Sequence, residues 1–202
     1  LIFDECTSGF RETLGGIHRN YNVNPDIVVY GKALGNGYPI NAIVGKNEIM
    51  QSAKRSFMSS TFWSERIGFI AALATIKQME KEKSWLHTKK IGKEIKVFWR
   101  KIFKKNKIKA KISGLDSIPT FTFQDNHILK KTFITKDLLD KRILAGNSFY
   151  VSTAHTKKLM KIYFREFGRA VAKLNKIKNL KKFFFTKLKI LRAIIIVNGF
   201  LT

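Results

Sequence analysis

Two short apolar runs, each stopping at an ionisable residue, open the chain. Leu1-Ile2-Phe3-Asp4-Glu5 stops at a carboxylate, and Pro25-Asp26-Ile27-Val28-Val29-Tyr30 stops at Gly31-Lys32. Both read as strands. Asn24-Pro25-Asp26 starts the second, because the residue before a proline favours extended backbone. Between them lie a polar loop, Thr7 to Arg11, and a turn signal, Leu14-Gly15-Gly16. Gly35, Gly37 and Pro39 form a further loop, Ile40 to Gly45 reads as a third strand, and Asn47-Glu48-Ile49-Met50 opens a short helix. The period then changes. Ile67, Ile70, Leu73, Ala74 and Met79 recur at helical spacing, with Ser64 as a cap.

From about residue 80 to 105 the pattern stays helical and turns basic, which places a domain boundary in that stretch. Lys107 to Ser113 alternates apolar and charged positions, and Pro119 to Phe123 alternates likewise, as strands do. His127 to Arg142 and residues 156–175 have helical patterns, and Ala145 to Ser148 is a turn leading to a strand through Phe149-Tyr150-Val151. This second region mixes strands and helices without βαβ regularity, so it reads as a small α+β domain. Residues 177–202 hold two apolar triplets, Phe183 to Phe185 and Ile194 to Ile196, separated by lysines, and fit no packed element. The first strand begins at Leu1 with no neighbour before it, and the expectation is that the chain is a fragment of a longer protein.

Charge changes this picture less than its total suggests. The formal net charge of +25 over 202 residues points first to a nucleic-acid binder. Residues 1–65, however, hold six basic and six acidic groups and are neutral. The excess sits in residues 86–111 and 157–202, and a solvated basic face accounts for both. A basic protein that binds nucleic acid or anionic membrane through those two blocks is the runner-up reading, and an inactive remnant a third. Cys6 is the only cysteine, so no intrachain disulfide can form, and no apolar run reaches the length of a membrane span. His18, His87, His127 and His155 are scattered without metal-ligand spacing. Phe121 and Phe123 alternate in a strand and read as core.

Two strands ending in an acid and a lysine are the pattern of an α/β site, since ligands of open parallel sheets sit beyond the carboxyl ends of the strands. The motifs are more specific than that. Asp4-Glu5-Cys6-Thr7-Ser8-Gly9-Phe10, followed by Pro25-Asp26-Ile27-Val28-Val29-Tyr30-Gly31-Lys32-Ala33-Leu34-Gly35-Asn36-Gly37-Tyr38-Pro39, resembles the class III aminotransferases, within them the glutamate-1-semialdehyde aminomutase-like branch. The likeness runs through Ser60-Thr61-Phe62 and more loosely to about residue 176.

The resemblance implies an α/β fold. Residues 1–85 would be the C-terminal part of the large domain of a pyridoxal-phosphate-dependent transferase, with a mostly parallel sheet. Residues 86–176 would be a small α+β domain with its connecting helix, and residues 177–202 a tail. It implies pyridoxal 5'-phosphate as cofactor, a small-molecule amino donor and acceptor, a homodimer, a cytoplasmic location, no specific nucleic-acid partner and no membrane span.

By position, Lys32 matches the Schiff-base lysine, where an amine close to the cofactor carbonyl is nucleophilic and can later move a proton. Asp4 matches the partner of the pyridine nitrogen, keeping that nitrogen protonated. Thr61 matches a threonine that binds the cofactor phosphate from the neighbouring subunit, and a helix start suits a phosphate. Cys6 stands where valine more often packs on the ring, and is itself a small hydrophobe. Glu5 belongs to the motif and is assigned no chemistry. Arg11 and Arg66 are candidates for the substrate carboxylate by location alone. Trp63-Ser64-Glu65-Arg66 replaces the family's usual Gly-Asn-Pro and marks a difference on the substrate side.

Overall fold

A computed structural model describes residues 1–62, 65–177 and 182–183. The chain falls into two compact units. The first comprises Leu1–Lys93 with Leu115–Ser117 and Val151–Ala154, and the second comprises Glu94–Gly114, Ile118–Tyr150 and the residues from His155 onward.

In the first unit β1 (Ile2–Glu5), β2 (Ile27–Tyr30) and β3 (Ala42–Gly45) form a sheet in that order. β1 and β2 are parallel, with Asp4 opposite Val29 and Glu5 opposite Tyr30. β2 and β3 are antiparallel, with Tyr30 opposite Ala42. The mostly parallel sheet that the resemblance implies is therefore half parallel here. The 11 residues from Gly31 to Asn41 are long enough to bring the chain back alongside β2, and no crossover helix intervenes. After β3 come α1 (Asn47–Met50), a 3-10 turn over Gln51–Arg55, and α2 (Arg66–Glu82). Ser64, expected to cap α2, lies outside the described residues. The Glu65 side chain is seen in that role, accepting the Ile67 N–H at 2.8 Å. Lys83 in the left-handed conformation ends α2, and α3 (Ser84–Lys105) begins directly after it.

The loop after β1 is fixed at two points. Buried Glu12 accepts hydrogen bonds from the Ser117 N–H at 2.8 Å and the Ser117 hydroxyl at 3.1 Å. The Thr88 hydroxyl, on α3, donates to the Arg11 carbonyl at 2.9 Å. A buried carboxylate must be satisfied by such donors, so these bonds position the loop as well as stabilise it.

The second unit is built on aromatic packing. β4 (Ala110–Ser113) and β5 (Thr120–Phe123) pair antiparallel, and α4 (His127–Leu139) and α5 (Lys157–Asn175) complete it. Ile95, Trp99 and Phe103 recur every fourth residue along α3 and are buried. Trp99 meets Phe121 edge-on at 4.8 Å, and Phe103 meets Phe121 at 5.2 Å. The Trp99 indole N–H donates to the Tyr163 hydroxyl at 3.0 Å, and burial pushes the Tyr163 pKa up.

The strand expected through Phe149–Val151 does not form. Only Thr120 and Ser148 make an isolated bridge. The Phe149 N–H donates to the Pro119 carbonyl at 2.9 Å, but proline has no N–H to return the bond, so the ladder stops.

Candidate active site

The parallel pairing of β1 and β2 makes the site. Both strands leave the sheet at the same end, so the residues that follow them emerge side by side. Alternation along β1 then sends its two acids to opposite faces: Asp4 is exposed and Glu5 is buried.

Glu5 holds the loop between the strands. Its carboxylate accepts the Ile17 N–H at 2.5 Å and the His18 N–H at 3.0 Å, and it lies 2.7 Å from His18 Nδ1. These contacts shape the 3-10 turn over Ile17–Tyr21. His18 is thereby a structural residue.

Asp4 faces the other way. Its Oδ1 accepts the Cys6 N–H at 3.0 Å. That backbone bond lowers the Asp4 pKa, helped by the Cys6 thiol and the Lys32 charge and opposed by desolvation. Asp4 is thus kept ionised. Cys6 is half-buried beside it, and desolvation followed by the Asp4 carboxylate raises the thiol's pKa, which argues against a thiolate nucleophile.

Lys32 follows β2 through Gly31. A Cβ on Gly31 would lie 2.3 Å from Asn41 Oδ1, so any larger residue at this exit would push the Asn41 side chain aside. Lys32 itself has φ of 43°, a left-handed backbone that costs a non-glycine residue roughly 1–2 kcal/mol. The turn over Lys32–Leu34 sustains it through the Leu34 N–H to Gly31 carbonyl bond of 3.0 Å and the Asn36 N–H to Lys32 carbonyl bond of 3.1 Å. Strain of this kind concentrates at functional sites. The Lys32 amine is exposed and hydrogen-bonded to the Thr7 hydroxyl. An open hollow of about 490 Å³ adjoins it, lined by Lys32, Gly37, Tyr38, Pro39, Ile40 and Asn41.

Asp4, Cys6 and Lys32 are therefore neighbours, and Thr7 joins them. Thr61 lies in an exposed turn ahead of α2, and among the described residues no hydrogen bond links it to that group. Arg66, the first residue of α2, is exposed, whereas the Arg11 Nε donates to the Thr7 carbonyl at 2.7 Å. Thr7 carried no signal of its own in the sequence. Only the parallel register reveals it, because Lys32 is 25 residues away along the chain. Among the described residues no cluster of His, Cys, Asp or Glu is placed to hold a metal ion, and no helix is long and apolar enough to cross a membrane.

The aminotransferase class-III family profile matches residues 1–167, and the chain belongs to that family, whose members depend on pyridoxal phosphate. It is 38% identical over 125 residues to a 3-aminobutyryl-CoA aminotransferase of Cloacimonas acidaminovorans, covering 61% of this chain and 30% of that protein. It is 35% identical over 132 residues to a glutamate-1-semialdehyde 2,1-aminomutase of Methanocaldococcus jannaschii, covering 64% and 31%. Among solved structures, the FumI protein of a Sphingopyxis species, in its pyridoxal-phosphate internal aldimine form, superposes with a TM-score of 0.80 at 21% identity. That match covers 86% of this chain and 43% of the other. An omega-transaminase from Sphaerobacter thermophilus gives 0.74 at 18% identity, over 86% and 44%. The fold is thus the α/β fold of the pyridoxal-phosphate transaminases. The chain spans about a third of the length of the curated relatives it matches.

Proposed function

We propose that this chain carries the lysine and the aspartate of a pyridoxal-phosphate site, in an aminotransferase or aminomutase that moves an amino group between small molecules. The observation that carries the reading is the emergence of Asp4 and Lys32 together from the carboxyl edge of a parallel strand pair.

The residues suit the cofactor at two ends. When bound, pyridoxal phosphate supplies a ring that withdraws electrons from the substrate carbon. Asp4, kept ionised by the Cys6 N–H, is the partner for a protonated ring nitrogen. Cys6 offers a small apolar contact to the ring. The Lys32 Nζ would be the nucleophile that holds the cofactor through its carbonyl, and the same amine would be the group that holds and moves a proton beside the bound substrate. Thr61 is the hydroxyl for the cofactor phosphate, serving the site of a second copy in a homodimer. The exposed Phe62, Ile67, Ile70 and Leu73 beside it are apolar surface that such a copy would cover. Residues 1–85 are assigned to the large domain, residues 86–176 to the small one, and the location to the cytoplasm. Small-molecule chemistry is consistent with the neutral balance of residues 1–65.

The test is attachment of the cofactor. The chain mixed with pyridoxal phosphate should develop the visible absorbance of a lysine-bound cofactor, and borohydride reduction should fix the pyridoxyl group on Lys32, read by peptide mass. Lys32→Ala should lose both. Absorbance that persists in Lys32→Ala would show that another amine does the work.

A further inference from the structure

Lys32 sits on a side chain with several rotatable bonds at an exposed position, so something must aim its amine. Two backbone features bring the residue to the site. Gly31 turns the chain past Asn41, and the φ of 43° at Lys32 sets the direction of its Cβ. Neither fixes the far end of the chain. The contact made by Lys32 Nζ is with the Thr7 hydroxyl.

Thr7 is well supported for that task. It follows β1 by two residues, and its carbonyl accepts the Arg11 Nε at 2.7 Å. Arg11 in turn is fixed through its carbonyl by the Thr88 hydroxyl at 2.9 Å, and Thr88 is buried. Support runs from α3 through Arg11 to Thr7, and from Thr7 to the lysine. The hydroxyl also has suitable chemistry. It accepts a hydrogen bond from an ammonium and donates one to a neutral amine, so it keeps its partner in both protonation states. A carboxylate in that place would bind the charged form far more strongly than the neutral one, and a valine would hold neither.

We infer that Thr7 is a positioning residue, whose hydroxyl aims the Lys32 amine on the Asp4 side of the site and keeps it there as the amine gains and loses a proton. This rests on the reading of Lys32 as the cofactor lysine and adds the group that orients it. Thr7 does not itself react.

The experiment uses this chain and pyridoxal phosphate as the probe. The rate of reductive attachment at Lys32 is measured by peptide mass across pH for the unsubstituted chain, Thr7→Val and Thr7→Ser. Thr7→Val should lower the high-pH plateau rate about three- to tenfold, the scale of one lost hydrogen bond. Thr7→Ser should restore the rate, because it keeps the hydroxyl. Simple loosening of the fold would speed hydrogen exchange through Ile2–Glu5 and Ile27–Tyr30 along with the loss of rate, and that result overturns the inference. So does a Thr7→Val profile that matches the unsubstituted chain, or a Thr7→Ser variant that fails to rescue. In each of those cases attachment at Lys32 still upholds the lysine assignment. No attachment at Lys32 in the unsubstituted chain removes the lysine assignment, and this inference with it.

Discussion

The two units of this chain solve the problem of apolar surface differently. In the first unit, among the described residues, Val28, Leu34, Met79, Ile91 and Val151 are the buried apolar side chains, while Ile43, Val44, Phe57, Ile67, Phe69, Ile70 and Leu73 are exposed. In the second unit Trp99, Phe103, Phe121, Phe123, Tyr163 and Phe167 enclose one another, with Ile95, Ile134 and Leu138 packed beside them. The second unit is held by its own core. The first is held largely by polar anchors, the buried Glu5 and Glu12 with their backbone donors. The unit that holds Asp4 and Lys32 is thus the less self-sufficient one. Its sheet and α2 present apolar faces that a single copy of the described residues does not cover.

The largest effect that could break this contrast is at Phe121. It is fully buried at the centre of the aromatic cluster, touching Trp99, Phe103, Phe123 and Phe167. Phe121→Ala should cost about 3–5 kcal/mol, through lost burial and an unfilled cavity. Denaturant titration followed by near-ultraviolet circular dichroism would measure it. A loss under about 1 kcal/mol would mean that the cluster does not hold the second unit.

How far the sequence anticipates these units depends on whether the forces involved are local. Strands β1, β2 and β3 lie within the apolar runs that suggested them, each shorter by one or two residues. Pairing trims the ends: the Leu1 carbonyl accepts the Asp26 and Ile27 N–H groups, while its amino group turns to the Asp26 side chain. Proline had the opposite effect at Phe149–Val151, where an apolar run without a full set of ladder donors stays irregular. The helical period at Ile67, Ile70 and Leu73 correctly gave a helix, but a period cannot say what covers the face, and here the described residues leave it open. Motif spacing singles out Asp4 and Lys32, and the parallel register brings the two strand ends that carry them side by side. Thr7, Asn41 and the buried Glu5 grip on His18 were not legible in the sequence, because each depends on which side of a strand end the neighbouring chain passes.

The exposed face of α2 gives the next test, with a smaller effect on stability. Ile70 is 66% exposed and Leu73 60% exposed. Ile70→Ser and Leu73→Ser should each change the stability of the isolated chain by within about ±0.5 kcal/mol, as surface substitutions do. Both should weaken self-association, measured by sedimentation against concentration. If either cost more than about 1 kcal/mol in a chain shown to be monomeric, α2 would be packed within one copy, and the contrast between the units would shrink.

The smallest effect is electrostatic and belongs to the first unit alone. The Asp26 pKa is lowered to about 2, first by the hydrogen bond from Lys46 Nζ at 2.7 Å and then by the Leu1 amino group. This carboxylate sits at the start of β2, where its own carbonyl accepts the Lys46 N–H at 3.0 Å, so it ties β2 to the end of β3. The folded pKa is below the ordinary value of 3.8, so the unfolded chain binds the proton more readily. The stabilisation is therefore present above about pH 4 and is lost as the pH falls through about 2. Asp26→Asn should be slightly less stable than the unsubstituted chain at pH 6, and the gap should close near pH 2 and narrow in high salt. Hydrogen exchange read by peptide mass assigns the change to a unit. Faster exchange in Ile27–Tyr30 with none in Thr120–Phe123 keeps the two units distinct. Equal acceleration in both would mean that they open together, and that polar anchors at the sheet govern the aromatic core as well.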